Sequence, residues 1–288
     1  MEASLLIVAY NSMLNFTKEH DILICIDSDG TIMDTMTIKH EECFGPAFID
    51  VFGIKEHKEE ILDHWNDTNL YTTTRGINRF QGLKEILEFI ELNYNYKFDG
   101  SHYFYNWVNT TKAFSVDLLK EENNKHESEV IKKAIMWSDE VNKRIKLLPP
   151  SKVFLNCKET LEKLSSFADL VGVSSANKGA VIEEWTNNGI IKYFKEVACQ
   201  DVGSKSFIIS EAIKNGYDTN KVIMLGDALG DERAAKDNNC LFYPIIPSME
   251  SKSWNNLNNI LNDIKNHQYK SLEERYINDF HNFLGGKK

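Results

Sequence analysis

Ile22-Leu23-Ile24-Cys25-Ile26-Asp27-Ser28-Asp29-Gly30-Thr31 is the stretch that decides the fold. Its first half is a short, continuous run of mostly branched apolar residues. That pattern suits a parallel strand buried on both faces. The run stops at once in a polar, turn-prone segment. Two carboxylates two residues apart at a strand's carboxyl end can point into one site across a tight turn. Gly30 permits a backbone conformation that other residues resist. One acid could attack phosphorus or bind a metal while the other moves a proton. A plain surface turn, where Asp and Gly are common, is the competing reading.

Downstream the pattern changes. From about residue 35 to 150, apolar residues recur at helical spacing: in Cys43-Phe44-Ala47-Phe48-Val51-Phe52, in Leu83-Ile86-Leu87-Ile90, and from Val130 through Val141 and Ile145. Nothing there alternates like a strand, so a helical insertion is expected, closed by Pro149-Pro150. Beyond it, strand-like Leu170-Val173, Glu196-Cys199, Val222-Leu225 and Leu241-Tyr243 alternate with helix-like stretches. The fold class predicted is α/β, a doubly wound parallel sheet with an inserted α-helical domain. The expected division is 1–34 (an N-terminal helix and the first core strand), 35–150 (the helical insertion), 151–250 (the rest of the core) and 251–288 (a helical tail). In that tail Leu257, Ile260, Leu261 and Ile264 form the expected packing stripe.

Open α/β sheets bind ligands outside the carboxyl ends of their strands. The residues just past each strand therefore carry the functional reading. After the first come Asp27 and Asp29. After the second come Ser174 and Ser175, whose hydroxyls before a helix suit a phosphate, although taken alone a plain N-cap is the better explanation. After the third comes Lys205 at a helix start, where the helix dipole disfavours a cation; meeting an anion is one reading and an ordinary solvated lysine is the other. After the fourth come Asp227 and Asp231, spaced so that both can face one cation. Each signal alone is weak or moderate. Asp/Asp, Ser/Ser, Lys and Asp/Asp at successive strand ends would rarely arise from chance turns.

The chain has 288 residues, 42% hydrophobic and 26% charged, as folded proteins do, and a net charge of −10. That balance opposes binding to nucleic acid or an anionic membrane. A phosphorylated substrate would need a metal and local cations to reverse the field. The five cysteines are scattered without a CxxC pair, which argues against a disulfide framework or zinc site and fits a reducing, cytoplasmic setting. The apolar stretch at residues 5–9 is too short to span a bilayer and lacks a basic start, so it is read as part of a packed N-terminal helix.

Together these residues resemble the haloacid dehalogenase-like superfamily. Asp27-Ser28-Asp29-Gly30-Thr31 matches its first motif, DxDGT; Ser174 or Ser175 the second; Lys205 the third; Gly226-Asp227 with Asp231 the fourth. The resemblance implies a Rossmann-like core with a cap domain at the helical insertion, and a Mg²⁺-dependent phosphatase acting on a small phosphorylated metabolite. It implies that Asp27 attacks phosphorus to form an aspartyl-phosphate and that Asp29 is the proton donor and acceptor. Lys205 and a serine hydroxyl would hold the phosphoryl oxygens. Mg²⁺ would be held by Asp27, the Asp29 carbonyl, Asp227 and Asp231. Ser28 departs from the pattern, which usually has a bulkier apolar residue there. In the insertion, Arg75 and Arg79 are candidates for substrate specificity, against the simpler reading of a solvated loop. His40 is more readily a packed or surface histidine. A phosphomutase of the same superfamily and a non-catalytic binder of phosphorylated ligands are the alternatives. Oligomeric state is left open.

Overall fold

A computed structural model describes residues 14–286. The apolar stretch at residues 5–9, read as part of an N-terminal helix, lies outside the described residues. The chain divides into two compact units. Of the described residues, one unit comprises 14–33 and Lys152–His281; the other comprises Asp34–Ser151 and 282–286.

In the first unit, β1 (Ile22–Ile26), β2 (Ala168–Val173), β3 (Glu196–Ala198), β4 (Val222–Gly226) and β5 (Leu241–Pro244) make one parallel sheet in the order β3-β2-β1-β4-β5. Every residue of β1, β2, β4 and β5 is buried. This is why β1 is a continuous apolar run rather than an alternating one. Helices Cys157–Ser165, Lys178–Asn187, Lys205–Ile213 and Leu229–Asp237 alternate with the strands. Ile24, Leu170, Leu225, Val181, Trp185, Tyr243 and Trp254 belong to one buried cluster. β1 lies in the middle, with Ile26 opposite Gly172 on one side and Leu225 on the other. The strand ends bearing Asp27, Ser174 and Asp227 are therefore neighbours.

β2 begins two residues before the apolar run does, because Asp169 is a strand residue. Its carboxylate Oδ2 accepts the N–H groups of Glu19 and His20 at 2.8 and 2.9 Å and the Tyr217 hydroxyl at 2.6 Å. Lys195 lies 3.7 Å from Oδ1. Those partners stabilise a fully buried acid that would otherwise disfavour a strand.

The tail is not one helix but three, Glu250–Asn259, Leu261–Lys265 and Lys270–Gly286. Leu257, Ile260 and Ile264 are buried and Leu261 packs partly against the core. The stripe misses the aromatics Trp254, Tyr269, Tyr276 and Phe280, which are also buried. Two tail side chains also close the open edge of β5. Glu273 accepts the Phe242 N–H at 2.7 Å, and the Tyr269 hydroxyl donates to the Phe242 carbonyl at 2.7 Å. Both outward backbone groups of Phe242 are thus satisfied, and that stretch offers no template for another strand.

The second unit contains helices and no named strand among the described residues. Gly45–Phe52, Lys58–Asn66, Arg79–Asn93, Ser101–Thr110, Val116–His126 and Glu129–Ile145 surround a core with Phe48, Trp65, Phe104 and Trp137 at its centre. Asn78 starts the helix Arg79–Asn93 through a reciprocal pair of hydrogen bonds with Gln81. Ser115 and Ser128 cap two others. The run from Cys43 to Phe52 is not one α-helix. Lys39–Phe44 is π-helical and the α-helix begins at Gly45. Pro46 has no N–H to give to the carbonyl four residues back, so the turn before it widens. Asp67–Tyr71 is a second π-helical turn. Of the aromatic group at 103–107, Phe104 and Trp107 are buried in this core and Tyr103 and Tyr105 pack partly against it.

Candidate active site

The carboxyl ends of β1 and β4 are locked together by the Asp27 N–H, which donates to the Leu225 carbonyl at 3.0 Å. The chain then reverses around one peptide. The Ser28 carbonyl accepts the N–H groups of Thr31, Ile32 and Met33, and Gly30 takes a φ of 79°. This turn leaves Asp27 only 5% exposed. Asp227 and Asp231 are equally buried, and the carboxylate oxygens of all three approach within 4.8 Å of one another.

Lys205, the first residue of helix Lys205–Ile213, crosses to this group. Its Nζ lies 2.9 Å from Asp27 Oδ1 and donates to Asp231 Oδ1 at 2.6 Å. Asp231 Oδ2 accepts the Ala228 N–H at 3.1 Å, and Thr31 Oγ1 donates to Asp227 Oδ1 at 2.9 Å. Asp231 can sit so close to the strand because β4 ends in Gly226. A Cβ there would lie 2.3 Å from the Asp231 Cβ.

Burial pushes the Asp27 carboxyl well above the usual range. Lys205 pulls it down, while Asp231 and Asp227 push it further up. Asp231 is raised for the same first reason. Burial works to lower the Lys205 pKa, but Asp231 and Asp27 outweigh it and hold the ammonium charged. Three buried carboxylates gather where one ammonium, that of Lys205, meets two of them. Hard oxygen donors clustered in this way fit a divalent magnesium ion.

The remaining sequence candidates fall on both units. Ser174 follows β2 directly and is 3% exposed; its N–H donates to the Ala198 carbonyl and its Oγ accepts the Ala176 N–H at 3.1 Å. Ser175 is exposed. Asp29 is half-buried and does not join the three-carboxylate group. In the helical unit, Arg75 is not on a solvated loop. It is 4% exposed and its Nη1 donates to the Leu70 carbonyl at 2.7 Å, bracing the second π-helical turn. Arg79 Nη1 donates to the Ser138 carbonyl and hydroxyl and to Asn142 Oδ1, and its guanidinium lies over the Phe44 ring. His40 is buried, with Nδ1 accepting the Trp65 indole N–H at 3.2 Å. Sequence reading missed the polar partners of the first turn: Thr31 on Asp227, Trp185 on Ser28, and Trp254 on the Thr31 carbonyl. An indole in an apolar pattern signals packing, and only the fold shows where its N–H goes.

A second group, two acids and a histidine (Glu19, His20 and Asp169), sits by the amino end of β2. Lys195 Nζ lies 2.5 Å from Glu19 Oε2 as well as near Asp169, and so supplies its counter-charge.

The profile of the haloacid dehalogenase-like hydrolases matches residues 77–244. The chain belongs to that family. The match takes in Ser174, Lys205, Asp227 and Asp231, while Asp27 and Asp29 lie before it. No match was found among curated proteins. Among solved structures, a haloacid dehalogenase-like family hydrolase from Xanthomonas campestris is 8% identical, with a TM-score of 0.52 over 90% of this chain and 98% of that one. At that identity it shows the fold. A haloacid dehalogenase-like family hydrolase from Streptococcus pneumoniae is 14% identical over 81% of this chain and 90% of its own, with a TM-score of 0.47. A predicted phosphoglycolate phosphatase from Haemophilus somnus is 17% identical over 82% and 92%, with a TM-score of 0.49. No helix among the described residues is long and apolar enough to cross a membrane.

Proposed function

We propose that this hydrolase is a Mg²⁺-dependent phosphatase that cleaves a small phosphorylated metabolite through an aspartyl-phosphate on Asp27. The observation that carries the proposal is the buried cluster in which one lysine bridges Asp27 and Asp231 with Asp227 alongside. A buried carboxylate is a poor metal-free nucleophile toward an anionic phosphate, because the two charges repel at close range. Here Lys205 meets the acid, and Asp227 and Asp231 stand beside it as the acids that would hold Mg²⁺.

Each residue then has a task. Lys205 binds Asp27 Oδ1 and leaves Oδ2 to attack phosphorus. Ser174 is the better placed of the two serines: its Oγ already accepts a backbone N–H and keeps its own proton to donate to a phosphoryl oxygen. Asp29, half-buried and outside the carboxylate cluster, protonates the leaving oxygen. It then takes a proton from the water that opens the aspartyl-phosphate, releasing phosphate and restoring Asp27. Asp27, Asp227 and the Asp29 carbonyl are the ligands assigned to Mg²⁺, with Asp231 acting directly or through water. Bound there, the ion would supply positive charge beside Lys205 for the attacking carboxylate and the phosphate it meets.

The helical unit, Asp34–Ser151, is assigned the role of a cap that selects the substrate. Arg79 is its stronger candidate, since its polar partners are the neutral groups of Ser138 and Asn142. Arg75 supports the turn through Leu70. The test is phosphate release from a panel of phosphorylated metabolites, with Mg²⁺ and with EDTA. Metal-dependent release is expected from at least one member. Conversion of a sugar phosphate to its isomer without release would assign the site to a mutase instead.

A further inference from the structure

We infer that Trp185 is a positioning residue for the Asp27–Asp29 turn, acting through the side chain of Ser28. This rests on the reading of Asp27 as nucleophile and Asp29 as proton carrier. Ser28 stands between them and is 1% exposed. Its Oγ accepts the Trp185 indole N–H at 3.0 Å. Trp185, in helix Lys178–Asn187, is fully buried. Its ring lies against β2 at Gly172, where an added Cβ would stand 2.7 Å from Cη2 and 2.9 Å from Cζ3. Phe194 covers the ring at 4.4 Å between centroids.

Three residues thus make one device. Gly172 admits the ring, the ring aims its N–H, and Ser28 receives it. A buried indole N–H needs an acceptor. An apolar residue between the two acids would leave this N–H without its partner and hold the turn by contact alone. The hydrogen bond adds direction. Ser28 is also the hub of the turn, its carbonyl accepting Thr31, Ile32 and Met33 N–H. A rotation of the Ser28 peptide would therefore move Asp27 and Asp29 together. The far side of the turn is held by Trp254, whose indole N–H donates to the Thr31 carbonyl at 2.8 Å.

Small displacements of reacting groups cost rate far more than they cost binding. Trp185→Phe keeps most of the ring and removes the N–H; Ser28→Ala removes the acceptor. Each variant should lower kcat about 10-fold with KM unchanged. The double variant should fall no further than the singles, because both act through one bond. Amide exchange at Thr31, Ile32 and Met33 should quicken in both folded singles by more than exchange at the other strand ends of the sheet. Wild-type kcat with unchanged exchange in either folded single variant would overturn the inference. So would additive losses in the double variant. If the wild type releases no phosphate from any substrate, the catalytic reading fails. The exchange rates of the turn then decide the positioning role on their own: quickened exchange keeps it, unchanged exchange overturns it.

Discussion

Replacing Lys205 by Met removes the ammonium that touches both Asp27 and Asp231 and keeps most of the side-chain bulk. The two acids would stay buried, at 5% and 0% exposure, with no protein cation within ion-pair distance among the described residues. Breaking a buried pair by deleting one partner costs about 3–5 kcal/mol. For a unit of this size that corresponds to a fall in melting temperature of about 6–20 °C. The loss should depend on pH in a definite direction. Burial raises the pKa of both acids above their unfolded values. In the variant their charged forms penalise the folded state, so its stability falls as pH rises through the raised values. It returns as pH falls and the acids take up protons. Urea titrations in EDTA at pH 5 and pH 8 would measure this, with wild type and Lys205→Met compared at each pH. The deficit should be large at pH 8, smaller at pH 5, and partly relieved at pH 8 by adding Asp231→Asn. A deficit below about 0.5 kcal/mol, or one equal at both pH values, would refute the view that Lys205 is the counter-charge of this cluster.

Further outcomes follow from the same geometry. Mg²⁺ at about 100 times its dissociation constant should stabilise the protein by about 2.7 kcal/mol, and Asp227→Asn should abolish most of that gain; a thermal-shift titration reads both. Gly226→Ala should destabilise by about 3 kcal/mol or more, because the new Cβ lands on the Asp231 Cβ rather than on a flexible tip. A folded Ala variant with wild-type denaturant midpoint would contradict the packing described. Next to Asp231 in the chain, Glu232 is almost fully buried against Lys236 and His281. Burial raises its pKa, but the bonds from Lys236 and His281 prevail and leave it lowered. Its contribution is therefore present above the unfolded glutamate pKa of about 4.3 and is lost as pH falls through the lower folded value. Glu232→Gln should flatten that acid limb by about 1–3 kcal/mol in a pH series of unfolding titrations.

Some of this molecule is legible from residues alone. The buried strand β1 reads clearly because full burial removes any need for polar alternation. The acids and the lysine declare themselves by falling immediately after strands, where a doubly wound sheet has its open end. What does not read are features made by contacts across long stretches of chain. Trp185 and Ser28 are 157 positions apart, and nothing local marks an indole as a donor to that serine. Asp169 looks like a strand breaker until Tyr217 and two backbone N–H groups are brought to it. Arg75 lies in a polar, glycine-bearing stretch that resembles a solvated loop; a π-helical turn whose carbonyl it satisfies draws it inside. The tail's polar composition similarly hides the tyrosine and the glutamate that finish the sheet at β5.

The central claim is that the phosphoryl group passes through Asp27. The most direct measurement is acid quench of the wild type and Asp27→Asn during turnover of a ³²P-labelled phosphate ester with Mg²⁺, followed by peptide mapping. The account predicts an acid-stable, base-labile label on the peptide that contains Asp27, absent from the variant, which should be folded and inactive. Label on another residue, or phosphate release by Asp27→Asn at the wild-type rate, would contradict it.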